Sequence, residues 1–266
     1  MYQFGFLGCG NMGGALASAV AKTGATLALS GANWEKCVEK ANQLSAVPLS
    51  NEELAQKCRF IVLGVKPQKM GEVLAQIAPV LRSRKNGFCI ITMAAGLTME
   101  SICEMLGETY PVIRIMPNTP SEIGQGMILY TQNQQVSPGD LKAFQVGFAP
   151  AGMLESLEES LMDAGSAISG CGPAFAYMFV EALADGGVKC GLPREQALRF
   201  AAKTLMGSGA MVLETGRHPA ALKDAVCSPG GSTIEGVKAL ENAGFRSAVL
   251  EAVTAAYEKT VKLGKK

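Results

Sequence analysis

The stretch "YQFGFLGCGNMGGALASAVAKTG", residues 2–24, decides the fold. An apolar run ends at Leu7, glycines follow, and Ala and Leu recur at helical spacing up to Lys22. This reads as strand, turn, helix. Gly8, Gly10 and Gly13 stand in the G-x-G-x-x-G spacing: the first permits the tight turn, the second lets backbone approach a pyrophosphate, the third lets helix pack on strand. The spacing alone is a weak signal, but here a second strand, "TLALS" (Thr26–Ser30), follows at the distance of a βαβ unit. A dinucleotide-binding domain is expected.

The end of that second strand chooses between the two nicotinamide cofactors. An acid there would bond the ribose 2′-hydroxyl and repel a 2′-phosphate. Ser30, Gly31, Ala32 and Asn33 occupy the place instead, with Lys36 as the nearest cation and Glu35 beside it. NADP is favoured, with Ser30 and Asn33 as candidate phosphate contacts. Further strands suit a doubly wound sheet: "FIVLGV" (60–65), "FCIITMAAG" (88–96), "PVIRIMPN" (111–118) and "GMILYT" (126–131). The first three end in Val65-Lys66-Pro67-Gln68, Ala94-Ala95-Gly96 and Pro117-Asn118-Thr119-Pro120. In open α/β sheets, ligands bind outside the carboxyl ends of the strands.

Composition narrows the function classes. Lys and Arg total 24 against 23 Asp and Glu, without a basic cluster that would track a phosphate backbone, so nucleic acid is not an expected partner. No apolar run is read as reaching membrane-spanning length, and the amino terminus "MYQFGFLG" lacks a charged lead, so a cytoplasmic protein off the membrane is expected. Eight scattered cysteines with no C-x-x-C pair fit reduced thiols and argue against a metal site. The single histidine, His218, precedes Pro219 and reads as a turn residue. Acid–base work must therefore come from hydroxyls, carboxylates, lysines or a cofactor.

From about Glu158 the β pattern gives way to helices. Pro173 and Pro193 can each start one, Gly191 is placed to end the first, and two more follow in 232–244 and 246–263. Ala201, Ala202, Leu205, Met206, Gly209, Met211 and Val212 make the Pro193 helix apolar around much of its circumference, which calls for a partner subunit to cover it. Between helices lies "AVCSPGGSTIEG", residues 225–236. One reading is an ordinary interhelical turn capped by Ser232 or Thr233. The other is a cradle for a small carboxylate, in which the Pro229-Gly230-Gly231 turn supplies N–H donors at a helix start and Thr233 adds a neutral hydroxyl.

With these blocks assembled, the chain resembles the pyrroline-5-carboxylate reductase family over essentially its whole length. The resemblance rests on "FLGCGNMGGAL", "GVKPQ", "MAAG", "RIMPNTP", "SGCGPAFAYMFVEALADGGVKCGLPREQA" and "LKDAVCSPGGSTIEGVKALENAGFRSAV". It implies an α/β N-terminal Rossmann-type domain (1–158, NADP-binding) followed by an all-α dimerisation domain (159–266) that also binds substrate. It implies NADPH, preferred over NADH, for reduction of 1-pyrroline-5-carboxylate to L-proline, and a homodimer whose copies often close into a ring, a decamer. By motif, Leu7, Gly8, Cys9, Gly10, Asn11 and Met12 wrap the pyrophosphate. Ser30 and Asn51 lie towards the adenosine ribose, while Val65, Lys66, Pro67 and Met93, Ala94, Ala95 border the nicotinamide half. Glu159, Ser232 and Thr233 correspond to substrate contacts; the Gly231, Ser232 and Thr233 amides would hold the carboxylate, with the Thr233 hydroxyl near the ring nitrogen. One departure is Ala225, where the family often carries asparagine. Two rivals are a β-hydroxyacid dehydrogenase and a non-catalytic NADP-binding regulator. The first pairs a lysine with an asparagine one turn later, whereas Gly207 follows Lys203 and Pro193 follows Lys189; the second would not need the carboxylate cradle.

Overall fold

Phe4–Leu7 and Phe60–Leu63 are buried without interruption, the pattern of central strands covered on both faces. The computed structural model describes residues 1–264, and the chain forms two compact units, Met1–Cys171 with Ala256–Lys266, and Gly172–Ala255. In the first unit the order is β1 (Tyr2–Leu7), α1 (Asn11–Ala21), β2 (Leu27–Ser30), α2 (Trp34–Gln43), β3 (Val47–Pro48), α3 (Asn51–Lys57) and β4 (Cys58–Leu63). Then come α4 (Pro67–Ser83), β5 (Cys89–Thr92), α5 (Met99–Leu106), β6 (Val112–Met116), β7 (Gly126–Gln132), α6 (Pro138–Phe148), β8 (Gly152–Ser156) and α7 (Met162–Ser169).

The strands form one sheet in the order β3-β2-β1-β4-β5-β6-β7-β8. Pairing is parallel except between β6 and β7. The reversal follows from chain length: Met116 to Gly126 holds only a 3₁₀ turn, Thr119–Ile123, too short for a parallel crossover. Alternate side chains feed two cores. Phe4, Phe6, Phe60 and Val62 join Phe144 and Phe148 on one face, while Leu7, Ile61 and Leu63 join Leu54, Leu74 and Ile77 on the other. β3 and β8, both at sheet edges, carry no reading in the sequence, because two residues and a largely exposed five give little hydrophobic pattern.

The first unit extends beyond residue 158, where the sequence suggests a division. Met162 of α7 packs with Met116 of β6 and Leu129 of β7, and Arg114 of β6 pairs with Asp163, which fastens α7 to the sheet.

The second unit contains α8 (Gly172–Lys189), α9 (Arg194–Thr215), α10 (Pro219–Val226), α11 (Ser232–Asn242) and most of α12 (Phe245–Gly264). Gly191, at φ +99°, ends the first of these in a Schellman arrangement, with Leu192 N–H bonded to the Gly187 carbonyl at 3.0 Å. His218 is the N-cap of α10, its Nδ1 accepting from Ala220 N–H. Among the described residues the buried apolar cluster of this unit is Ala184, Ala197 and Ala201. Tyr177, Met178, Phe200, Met206, Leu213 and Leu250 are each more than half exposed.

The membrane expectation needs correction in one place. Glu159–Lys189 is long and apolar enough, by length and composition, to cross a membrane. Reading runs by their charges hides it, because Glu159, Asp163, Glu181, Asp185 and Lys189 punctuate the stretch and the chain turns at Gly170–Cys171 between α7 and α8.

Gly147 of α6 tests the packing of the sheet against its helices. An added Cβ would stand 2.5 Å from Cζ of Phe4, a fully buried ring stacked on Phe60 and edge-on to Phe148. Gly147→Ala gains about 1 kcal/mol in helix propensity but overpacks at about 1–3 kcal/mol. A net loss of stability is expected in urea unfolding; a gain would show that the Phe4 ring can yield.

Candidate functional site

The glycine turn after β1 is fixed by backbone contacts. Gly8 has φ +101°, its N–H bonds the Ser30 carbonyl at 2.8 Å, and Gly64 N–H bonds the Leu7 carbonyl at 2.8 Å. A Cβ at Gly13 would lie 2.2 Å from the Gly8 oxygen, and one at Gly64 would lie 2.6 Å from it. Cys9 Sγ donates to the Ser30 carbonyl at 3.3 Å, and burial pushes its thiol up to about 12, so it serves as packing and not as a nucleophile.

β1 and β4 are neighbours, and the chain leaves them in opposite directions along the sheet, towards β2 and towards β5. That is the topological switch point at which α/β sheets bind ligands. Side chains Asn33, Ser50, Thr98 and Ser137 cap α2, α3, α5 and α6. α1 and α4, which follow β1 and β4, have no side-chain cap, and neither carries an acid in its first turn. The N–H groups of Asn11, Met12 and Gly13 precede the first helical bond, Gly14 N–H to Gly10 O, and a Cβ at Gly10 would meet nothing within 4 Å. Free amides, a positive helix end and open space at Gly10 fit a pyrophosphate.

The remaining cofactor candidates lie in the same unit. Asn33 Oδ1 caps α2 by accepting from Lys36 N–H at 3.0 Å, which leaves its amide nitrogen to donate. Ser30 is buried, and its hydroxyl donates to Asn51 Oδ1 at 2.6 Å, while Asn51 Nδ2 donates to Gln76. The Ser30 proton is thus held by Asn51 in this structure, and a bond from it to a phosphate would replace that one. Lys36 and Lys40 line a groove of about 360 Å³ beside Gly10 and Asn11, together with Glu39 and Glu122. Leu7 and Ala94 are buried in the core and can offer a ligand only backbone. Val65, Lys66 and Pro67 form the exposed to half-exposed entry to α4, and Met93 and Ala95 are half-buried after β5.

Glu159 has partners of its own: Oε1 accepts from Met99 N–H at 2.8 Å and stands 3.5 Å from Arg114 Nη1. Arg114, Asp163 and Asn118 hold this region together, and sequence reading missed the first two. A lone charge inside the apolar strand "VIRIM" was the available signal.

In the second unit, Ser228 to Gly231 form a turn closed by Gly231 N–H to Ser228 O at 3.0 Å, with Pro229 second and Gly230 third at φ +69°. Proline then positive-φ glycine is the type II pattern. The Gly231 amide is therefore spent within the turn and drops out of the expected carboxylate donors. A Cβ at Gly231 would also strike Ser228 Oγ. The alternative of an ordinary capped turn fails on one point: Gly231 is the N-cap of α11 and no side chain caps the helix. Ser232 and Thr233 are exposed in its first turn with amides ahead of the helical bonding.

Comparison with known proteins now decides the family. The model of pyrroline-5-carboxylate reductase dimerisation matches residues 159–263, and that of NADP oxidoreductase, coenzyme F420-dependent, matches residues 3–96. The chain is 41% identical to the pyrroline-5-carboxylate reductase of Escherichia coli, over 99% of this chain and 98% of the relative. It belongs to the pyrroline-5-carboxylate reductase family. A crystal structure of the Plasmodium falciparum enzyme with NADP bound is similar, with TM-score 0.88 and 37% identity, covering 99% of this chain and 98% of that one. The Streptococcus pyogenes enzyme is similar at TM-score 0.88 and 31% identity, with 98% of each chain covered. The N-terminal Rossmann-type sheet domain and the helical dimerisation domain of that family are both present.

Two glycines separate the fold of the cradle from its use. Gly13→Ala must displace the Gly8 carbonyl and should lower the melting temperature and abolish NADPH binding. Gly10→Ala meets no protein atom, so melting should be unchanged while the NADPH Kd, read by fluorescence, rises about tenfold as the methyl fills the ligand's space. Unchanged affinity in Gly10→Ala would place the pyrophosphate elsewhere.

Proposed function

We propose that this chain reduces 1-pyrroline-5-carboxylate to L-proline with NADPH, the last step of proline synthesis. The observation that carries the reading is the side-chain-uncapped start of α11, which leaves the Ser232 and Thr233 amides for a small carboxylate in a chain of this family. When bound, NADPH supplies the hydride that reduces the C=N carbon of the cyclic imine. The first-turn amides of α1 hold the pyrophosphate, and Val65, Lys66, Pro67 and Met93, Ala94, Ala95 border the nicotinamide half through backbone and small side chains. Ser232 and Thr233 N–H groups orient the substrate through its carboxylate. The Thr233 hydroxyl donates to the ring nitrogen, which gains a proton as it becomes an amine. Such chemistry needs one hydroxyl and no histidine, consistent with the capping role of His218.

NADPH is the preferred cofactor because β2 ends without an acid and Asn33 and Lys36 stand at the start of α2. Ser30 and Asn51 contribute as a hydrogen-bonded pair that shapes the ribose side. The enzyme is a homodimer: the second unit buries little beyond three alanines, and the apolar side chains of α8, α9 and α12 need covering. Closure of dimers into a decameric ring rests on the resemblance alone. Eight free thiols suit the reducing cytoplasm.

The decisive assay follows NADPH oxidation by the purified protein with pyrroline-5-carboxylate, with 3-hydroxyisobutyrate plus NADP as the contrasting pair. No imine-dependent oxidation would reject the reading. Thr233→Ala should lower kcat by about one to two decades, the equivalent of losing a hydrogen bond of roughly 1.5–3 kcal/mol to a group that changes charge. Thr233→Ser should restore most of it, and a kinetically silent alanine variant would send the search for the donor elsewhere. Ser30→Asp should weaken NADPH at least about tenfold by repulsion while changing NADH far less. Steady-state kinetics with both cofactors check this, and equal losses would detach the end of β2 from cofactor choice.

A further inference from the structure

Arg114 is the buried centre of an ionic cluster in the first unit whose two carboxylates are partly exposed. It lies on β6, is 3% exposed, and donates through Nη2 to Asp163 Oδ1 at 2.9 Å, with Nη1 3.5 Å from Glu159 Oε1. Its Nε is buried and has no partner among the described residues, so its charge is compensated by those two carboxylates. Such a cation is costly where Val or Ile would fill the strand at no electrostatic expense.

The second partner of Glu159 explains its presence. The oxygen that faces Arg114 also accepts from Met99 N–H at 2.8 Å, across 60 residues of sequence. Met99 begins α5, whose N-cap Thr98 already accepts from Ser101 N–H. α2 and α6 have an N-cap side chain that accepts a first-turn amide within its own segment, whereas α5 has an additional carboxylate brought from the connection between β8 and α7. Directly before Met99 runs the segment Met93 to Thr98, with Gly96 at φ +76°. At the other end of α7, Asn118 Nδ2 donates to Ser169 O, and its Oδ1 accepts from Met127 N–H.

We propose that Arg114 and Glu159 are positioning residues: the arginine orients the carboxylate, and the carboxylate pins Met99 so that the Met93–Thr98 loop keeps one conformation. Resting on the proposed reductase reading, the loop would border the nicotinamide, and its register would govern the hydride-transfer geometry. Glu159 then acts through the loop and does not contact the substrate. The bond it makes is to a backbone amide, so the neutral amide of glutamine can make it as well.

Glu159 is partly exposed, so Glu159→Ala should fold, and circular dichroism with a thermal melt verifies that. Hydrogen exchange of the peptide covering 93–99 should quicken about tenfold in Glu159→Ala and stay near wild type in Glu159→Gln. In NADPH oxidation with pyrroline-5-carboxylate, kcat should fall about tenfold in the alanine variant, with KM for the imine and Kd for NADPH changed less than about threefold. Glutamine should rescue kcat. Unchanged exchange in Glu159→Ala overturns the proposal, as does a rise in KM that glutamine fails to restore, the mark of a direct substrate contact. If the wild-type protein does not oxidise NADPH with the imine, the reductase reading fails, while the exchange measurement still decides whether Glu159 pins the loop.

Discussion

The Gly8 carbonyl oxygen occupies a point where the backbones of three segments converge, and no side chain can enter there. Cβ atoms at Gly13 and Gly64 would both fall within 2.6 Å of it. This close approach lets α1 start immediately beyond β1 and brings Gly64, at the end of β4, against the same turn. The consequence is electrostatic as much as steric. α1 begins without a side-chain cap at the switch point of the sheet, so its first amides remain for an anion.

The two units solve the burial problem in different ways. The sheet unit encloses strands between two apolar cores and keeps a buried cation on β6 beside two carboxylates, Glu159 from the connection after β8 and Asp163 from α7. The helical unit has three buried alanines and a broad exposed apolar surface, a composition that favours association because burying each exposed Met, Leu or Phe is worth about 1.5–3 kcal/mol. The same apolar character gives Glu159–Lys189 the composition of a membrane span.

The candidate anion sites of this chain are built on backbone. Both anion-binding candidates, the start of α1 and the start of α11, are helix ends capped by glycine without a side-chain bond. Polar side chains near the start of α2 also have structural partners: Ser30 donates to Asn51, and Asn33 Oδ1 accepts from Lys36 N–H. Three of the cysteines are withdrawn from reactivity as well: burial pushes Cys9, Cys58 and Cys89 up to about 12. Thr233, exposed and taking no part in capping, is left as a small hydroxyl at an open amide-lined turn.

Local pattern sufficed for elements whose own residues carry the signal. The glycine spacing of 8, 10 and 13, the apolar strands at Phe60 and Phe88, the proline starts near Pro173 and Pro193 and the Gly191 stop are all properties of consecutive residues, because backbone sterics and periodic burial act over a few positions. Edge strands β3 and β8 escaped because edges bury little; β7 was legible as a strand at 126–131, but its antiparallel direction was not, because strand direction depends on the length of a connection and on its neighbours. Side-chain commitments were also out of reach. That Ser30 spends its proton on Asn51 and Glu159 its carboxylate on Met99 and Arg114 could be decided only by tertiary structure. A sequence fixes which groups can donate or accept, whereas a hydrogen bond requires partners within about 3 Å, and folding alone brings residues 60 apart to that distance.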